Sequence, residues 1–328
     1  MTDLTVIAEA TRLTKAGRLA EATALLRGGA RRPAQGRGRE GTARRTAPDD
    51  LGMRRGRHTQ AEGARAYGLY LPAKPALQPA LVVMLHGCTQ DADDFARGTR
   101  MNEHAEREGF VVLYPEQDRA ANPNGCWNWF EAQHQAGRGE SAILAGMIRA
   151  VAAEVGADPA RIFVCGLSAG GAMAANLAHE APGLVAGALV HSGLPAGAAS
   201  DLPGALKAMQ QGAEGWPGAE AGSPVPLLVV HGDADRTVSV CNAEGLASQA
   251  LGGRAVTVQS REAGRAGGRG FVRVTEATPE GRVLCETITV EGGGHGWSGG
   301  DPRGSHVEAG IDASAAAVRF FGLARRPG

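Results

Sequence analysis

Apolar residues in this chain gather in short continuous runs instead of long alternating ones. Leu81-Val82-Val83-Met84-Leu85 and Leu227-Leu228-Val229-Val230 have no polar interruption. Such runs are the pattern of parallel strands covered on both faces. Strands are expected over 65–71, 81–86, 110–114, 161–167, 185–192, 227–231 and 283–290. Helical spacing is expected over 92–108, 141–155, 169–181 and 243–251, with a closing helix over 305–321. This alternation predicts an α/β protein with an open, mostly parallel sheet and helices on both faces. Functional residues should then collect at the carboxyl ends of the strands.

The first part of the chain reads differently. Residues 1–26 place Leu4, Ile7, Leu13 and Leu25 at rough helical spacing, which predicts an amphipathic helical arm broken near Gly17. Over 27–63 the composition shifts to Gly, Arg, Ala and Pro, too poor in large apolar residues to fold alone. This stretch is expected to be a flexible linker, either a solvated basic tether or a contact for an anionic partner surface. The folded domain is expected over 64–328.

Composition narrows the field. Of 328 residues, 43% are hydrophobic and 21% charged, as in globular proteins. Lys plus Arg number 34 and so do Asp plus Glu, so overall charge gives no pull toward nucleic acid. No run reaches the roughly 20 apolar residues of a membrane span. The opening residues lack the layout of a secretory signal, which points to a cytoplasmic location. Nothing in the sequence sets an oligomeric state.

The densest chemistry lies at Val164-Cys165-Gly166-Leu167-Ser168-Ala169-Gly170-Gly171. An apolar strand runs into Gly-x-Ser-x-Gly and then into a small-residue helix. That is the form of a nucleophile elbow, with the serine on a strained turn and glycines allowing close packing. With this motif the α/β pattern reads as an α/β-hydrolase fold and the chain as a serine hydrolase. An acid is expected in His231-Gly232-Asp233-Ala234-Asp235, with Asp235 the working carboxylate and Asp233 bonding turn amides. A base is expected at His295 in Gly292-Gly293-Gly294-His295-Gly296-Trp297. The order Ser, Asp, His is the one this fold uses. The oxyanion formed on attack needs two amide donors. They are expected from Ala169 and from Cys88, in Leu85-His86-Gly87-Cys88-Thr89-Gln90. This chemistry calls for no cofactor, and no cysteine pair has metal-ligand spacing.

These motifs, together with Cys126-Trp127-Asn128-Trp129-Phe130, Asp158 to Met173, and His191-Ser192-Gly193-Leu194-Pro195, resemble the polyhydroxybutyrate depolymerase family of esterases. The resemblance covers about 64 to 322. It implies Ser168, Asp235 and His295 as triad, Cys88 in the oxyanion hole and Trp127 lining the substrate cleft. Trp127, Trp129 and Trp297 are three of only four tryptophans, all in motif loops. Trp127, and Trp297 with it, are expected to wall an apolar polyester chain while Asn128 bonds a carbonyl. The alternative is that one or two of the tryptophans plug the core beneath the loops.

The resemblance also bears on the five cysteines, 88, 126, 165, 241 and 285. It suggests a bridge between Cys88 and Cys126; Cys241 and Cys285 form a second candidate pair, and Cys165 reads as a buried thiol. Two disulfides would favour an extracellular or periplasmic location over the cytoplasmic one. The expected substrate is a small ester, a hydroxyalkanoate oligomer or amorphous polyester. A polymer-adsorbing module, usual after such catalytic domains, does not follow the closing helix, so dense crystalline polymer is expected to be a poor substrate. A feruloyl or acetyl esterase, or a peptidase, is the runner-up. A non-catalytic binding protein working through the basic arm is the third reading.

Overall fold

Two antiparallel strands border the parallel core of the sheet on each side. The computed structural model describes residues 51–213 and 225–324. The arm expected over 1–26, and the linker as far as residue 50, lie outside the described residues. The unit from Gly52 onward holds a ten-stranded sheet in the order β1-β2-β4-β3-β5-β6-β7-β10-β9-β8.

The central strands β3 (Leu81–Leu85), β4 (Val111–Glu116), β5 (Ile162–Leu167), β6 (Gly187–His191), β7 (Leu227–Gly232) and β10 (Val283–Val290) pair in parallel. Every residue of β3, β5, β6 and β7 is buried. This agrees with the continuous apolar runs in their sequences. Helices α3 (Gly139–Val155), α4 (Ala169–Glu180) and α6 (Cys241–Leu251) fall within a few residues of expectation. The expected α/β-hydrolase topology is present.

Several expectations need correction. Strand β1 (Met53–Gln60) lies inside the stretch expected as linker and pairs along its whole length with β2 (Gly63–Tyr70). Its apolar-poor sequence is tolerated because it is an edge strand, fixed by the two-residue turn Ala61-Glu62 and by ion pairs from Arg54 to Glu154 and Arg55 to Asp93. The folded unit therefore begins near Gly52, not at residue 64.

The single helix expected over 92–108 is two, α1 (Ala92–Thr99) and α2 (Met101–Glu108). Arg100, at φ 56°, ends the first and begins the second. A hairpin of β8 (Thr257–Ala266) and β9 (Arg269–Ala277) was not expected, because its residues are largely polar. Its turn is Gly267-Gly268, both at positive φ, the glycine pair that favours a tight hairpin. Helix α5 (Leu202–Gln211) was also missed, although Asp201 caps it and Pro203 stands in its first turn. The closing helix is only α7 (Ala313–Phe320), capped by Asp312. Residues 305–312 are instead loop plus the short strand β12 (Val307–Glu308), which pairs with β11 (Trp297–Ser298). Among the described residues no helix is long and apolar enough to cross a membrane.

Candidate active site

Ser168 stands between β5 and α4 with φ 56° and ψ −119°, outside the regions an L-residue favours. Such strain persists only where its surroundings impose it. Here close backbone packing imposes it. A Cβ on Gly166 would collide with the Gly170 carbonyl, and one on Gly170 with the Leu85 carbonyl. The turn is also tied across the sheet by Ser168 N–H to the His191 carbonyl, 2.9 Å.

The loops carrying Asp235 and His295 lie back to back beyond β7 and β10. Asp233 N–H donates to Val290 O at 3.1 Å and Ala234 N–H to Gly293 O at 3.0 Å. A Cβ on Gly232 would meet Gly293, so this approach requires glycine. Asp235 Oδ1 accepts the amides of Thr237 and Val238 at 2.8 and 2.9 Å. Its Oδ2 lies 2.7 Å from His295 Nδ1, and His295 Nε2 lies 2.8 Å from Ser168 Oγ. A carboxylate only accepts, so Nδ1 carries the proton and Nε2 is left to accept from the serine.

Burial pushes the Asp235 carboxyl up, but hydrogen bonds from His231, His295 and the Val238 amide outweigh it. The group stays ionised well below the usual carboxylate range. His231 Nε2 stands 3.5 Å from Oδ2 and bonds the Val238 carbonyl at 3.0 Å. Asp233 instead accepts the Gly292 amide at 2.7 Å, the turn-bonding role expected for it.

The expected oxyanion donors border this group. Ala169 is the first residue of α4, where amides have no intrahelical acceptor and the helix dipole is positive. The loop after β3 abuts the serine: a Cβ on Gly87 would lie 3.6 Å from Ser168 Cβ. In that loop Gly87 N–H bonds Gln90 Oε1 and Thr89 N–H bonds Asn124 O, whereas no described residue accepts from Cys88 N–H. A disulfide joins Cys88 to Cys126, as the family resemblance suggested. The second candidate pair does not form: Cys241 and Cys285 are free, as is the buried Cys165.

The expected substrate wall is not there. Trp127 is fully buried and Trp297 is 1% exposed. Trp127 packs beside His86, and Trp297 sits between His191 and Phe95 with its Nε1–H on Ser314 Oγ. Trp129 is buried too. The large apolar area of these rings draws them inward, even from loops next to a site. Asn128 is likewise committed to the interior. Its backbone and side-chain amides both donate to Glu140, and its Oδ1 accepts from Asn122.

Glu140 was not singled out from the sequence. Its Oε1 also accepts from Gln117 at 2.6 Å and pairs with Arg65 at 3.0 Å, both partners buried. The network fixes the loop that carries Cys126 and, through the disulfide, the loop that carries Cys88.

The chain is 30% identical over 239 residues to poly(3-hydroxyalkanoate) depolymerase C of Paucimonas lemoignei, covering 69% of this chain and 57% of that protein. It is 32% identical over 186 residues to feruloyl esterase B of Neurospora crassa, 52% of this chain and 63% of that one. The matched stretch thus spans little more than half of these relatives. An acetyl xylan esterase from Aspergillus awamori shares the fold, with TM-score 0.63 and 23% identity over 79% of this chain and 94% of that one. The model of the Esterase PHB depolymerase family matches residues 65–272, most of the folded unit, and the chain belongs to that family.

Proposed function

We propose that the protein is a serine carboxylic-ester hydrolase acting through an acyl-enzyme. The observation that supports this most directly is that one imidazole, His295, bonds both Ser168 Oγ and Asp235 Oδ2, with the serine held on a strained elbow. Ser168 Oγ attacks the ester carbonyl carbon while its proton passes to His295 Nε2. Asp235 holds the ring by Nδ1 and stabilises the imidazolium. The amides of Cys88 and Ala169 receive the oxyanion, each worth roughly 2.7–4 kcal/mol by comparison with known cases. Collapse expels the alcohol, which takes the proton from Nε2. Water then repeats the sequence on the acyl-enzyme and frees Ser168.

Short-chain esters and hydroxyalkanoate oligomers or amorphous polyester are the substrates proposed first, in line with the family. The burial of Trp127 and Trp297 supports a second reading. The exposed side chains beside the Cys88 loop are polar, Thr89 and His306, and suit acetyl or feruloyl esters on hydroxyl-rich carriers. The Cys88–Cys126 bridge favours an oxidising compartment, extracellular or periplasmic, over the cytoplasm.

The test runs wild type and Ser168→Ala on p-nitrophenyl acetate to dodecanoate, on hydroxybutyrate oligomers, and on acetylated and feruloylated saccharides. Turnover lost in the variant upholds the esterase, and the favoured carrier separates the two readings. Equal rates in both proteins refute it.

A further inference from the structure

Four residues other than glycine near the site lie at positive φ: Ser168, Ser192 at 49°, Thr89 at 68° and His306 at 54°. The last two are bonded to one another, although 217 positions apart, with His306 Nε2 3.2 Å from Thr89 Oγ1. The hydroxyl hydrogen of Thr89 is already given to the Cys88 carbonyl at 2.6 Å. His306 is therefore the donor, and its neutral form carries the proton on Nε2. The backbone of His306 faces the other way, and its carbonyl accepts the amide of Trp297 at 2.7 Å, two residues beyond His295.

The segment around His306 is itself anchored. Ser305 N–H donates to Asp94 Oδ1 at 2.9 Å, and Ser305 Oγ bonds Asp94 Oδ2. Gln90 Nε2 reaches both Asp94 Oδ2 and the Ser305 carbonyl, while its Oε1 takes the Gly87 amide. Burial pushes the Asp94 carboxyl up, but the bonds from Ser305 and Gln90 outweigh it and keep it ionised. Glycine at 304 lets the segment reach α1, since a Cβ there would run into Gly98. Left-handed residues other than glycine each cost about 1–3 kcal/mol and persist only where the surrounding structure imposes them.

We infer that His306 is a positioning residue that ties the Cys88 loop to the His295 loop and so sets the oxyanion donor against the nucleophile. The inference rests on the serine-esterase reading above. His306 acts through Thr89 and Trp297, so its loss lowers kcat and leaves KM little changed. A donor misplaced by a fraction of an ångström to 1 Å costs roughly 10- to 100-fold in rate.

The experiment measures kcat and KM on p-nitrophenyl butyrate for the full chain, with thermal unfolding alongside. The variants are Ser168→Ala, His306→Gly, His306→Gln, Thr89→Val and the double His306→Gly, Thr89→Val. Glycine suits the positive φ, so His306→Gly removes the side chain without adding strain. Glutamine places an amide donor at about the reach of Nε2. The expected result is a kcat loss of roughly 10- to 100-fold in His306→Gly and Thr89→Val. The double variant should be no slower than the slower single one, and His306→Gln should recover most of the rate.

Wild-type kcat in His306→Gly, or a His306→Gln as slow as His306→Gly, overturns the role of His306 while Ser168→Ala remains inactive. If His306→Gly fails to fold, Thr89→Val decides: a wild-type kcat there overturns the role, and a loss in kcat alone upholds it. Undiminished turnover in Ser168→Ala overturns the serine reading and the role of His306 with it.

Discussion

Cys88 and Cys126 are covalently joined, so the loop after β3 and the loop after β4 are held as one piece beside Ser168. The first supplies the proposed oxyanion amide, and the second is bound to Glu140 through Asn128. Closing a loop of 38 positions is worth about 4 kcal/mol by chain entropy. Cys126→Ala should lower both the unfolding midpoint and the turnover number. Calorimetry and steady-state kinetics on the same preparation check this; unchanged turnover would detach the bridge from function.

The two carboxylates of the turn after β7 should differ sharply. Asp235→Asn presents an amide where the imidazole N–H needs an acceptor, and kcat should fall by about 10⁴. Asp233→Asn keeps an oxygen able to accept the Gly292 amide and should retain most of its turnover. Equal losses in kinetic assays would remove Asp235 from its proposed role.

His191 links protonation to stability. It is buried, its Nε2 accepts the Ser298 amide at 3.0 Å, and its ring stacks on Trp297. Burial, then the neighbouring His231 and His295, hold its pKa down at about 3 against an ordinary 6.5. Between those values the unfolded chain binds a proton that the folded chain does not. Stability therefore falls as pH drops from about 6.5 toward 3, by up to about 1.4 kcal/mol per pH unit from this group, and is unaffected by it above 6.5. His191→Gln can still accept from Ser298 without titrating. Denaturant unfolding of both proteins from pH 7 to pH 4 should give the shallower slope for the variant.

Arg65 and Glu140 form a buried ion pair, and removing one partner leaves the other charged and unpaired. Glu140→Ala and Arg65→Ala should each cost about 3–5 kcal/mol, and the double variant less than their sum. Urea unfolding of the four proteins in a double-mutant cycle measures the difference. A strictly additive result would mean that the pair is not coupled.

The elements read most surely from sequence were those where local pattern and tertiary role coincide. Continuous apolar runs gave β3 and β7, and the glycines around Ser168 gave the elbow whose packing requires them. Ser168, Asp235 and His295 were named from separate motifs, and the three side chains are in contact. The tryptophans were misread because proximity to a motif does not say which way a ring turns, and burial of apolar area decided it. Glu140 was illegible because its partners Arg65 and Gln117 stand 75 and 23 positions away, with no local spacing to betray them. His306 was hidden inside the helix expected over 305–321, whose first residues are instead a loop held where Ser305 bonds Asp94. Strand β1 was masked by an arginine-rich composition that an edge position tolerates.

The contacts that build the site join residues 127 and 60 positions apart, and they depend on strands β5, β7 and β10 standing in register. Pairing over such distances comes late, after the entropy of closing long loops has been overcome. No fragment ending before β10 contains both Ser168 and His295. On the proposed mechanism a partly folded or nascent chain is chemically silent, and the return of turnover during refolding times the completion of the sheet, not its first steps.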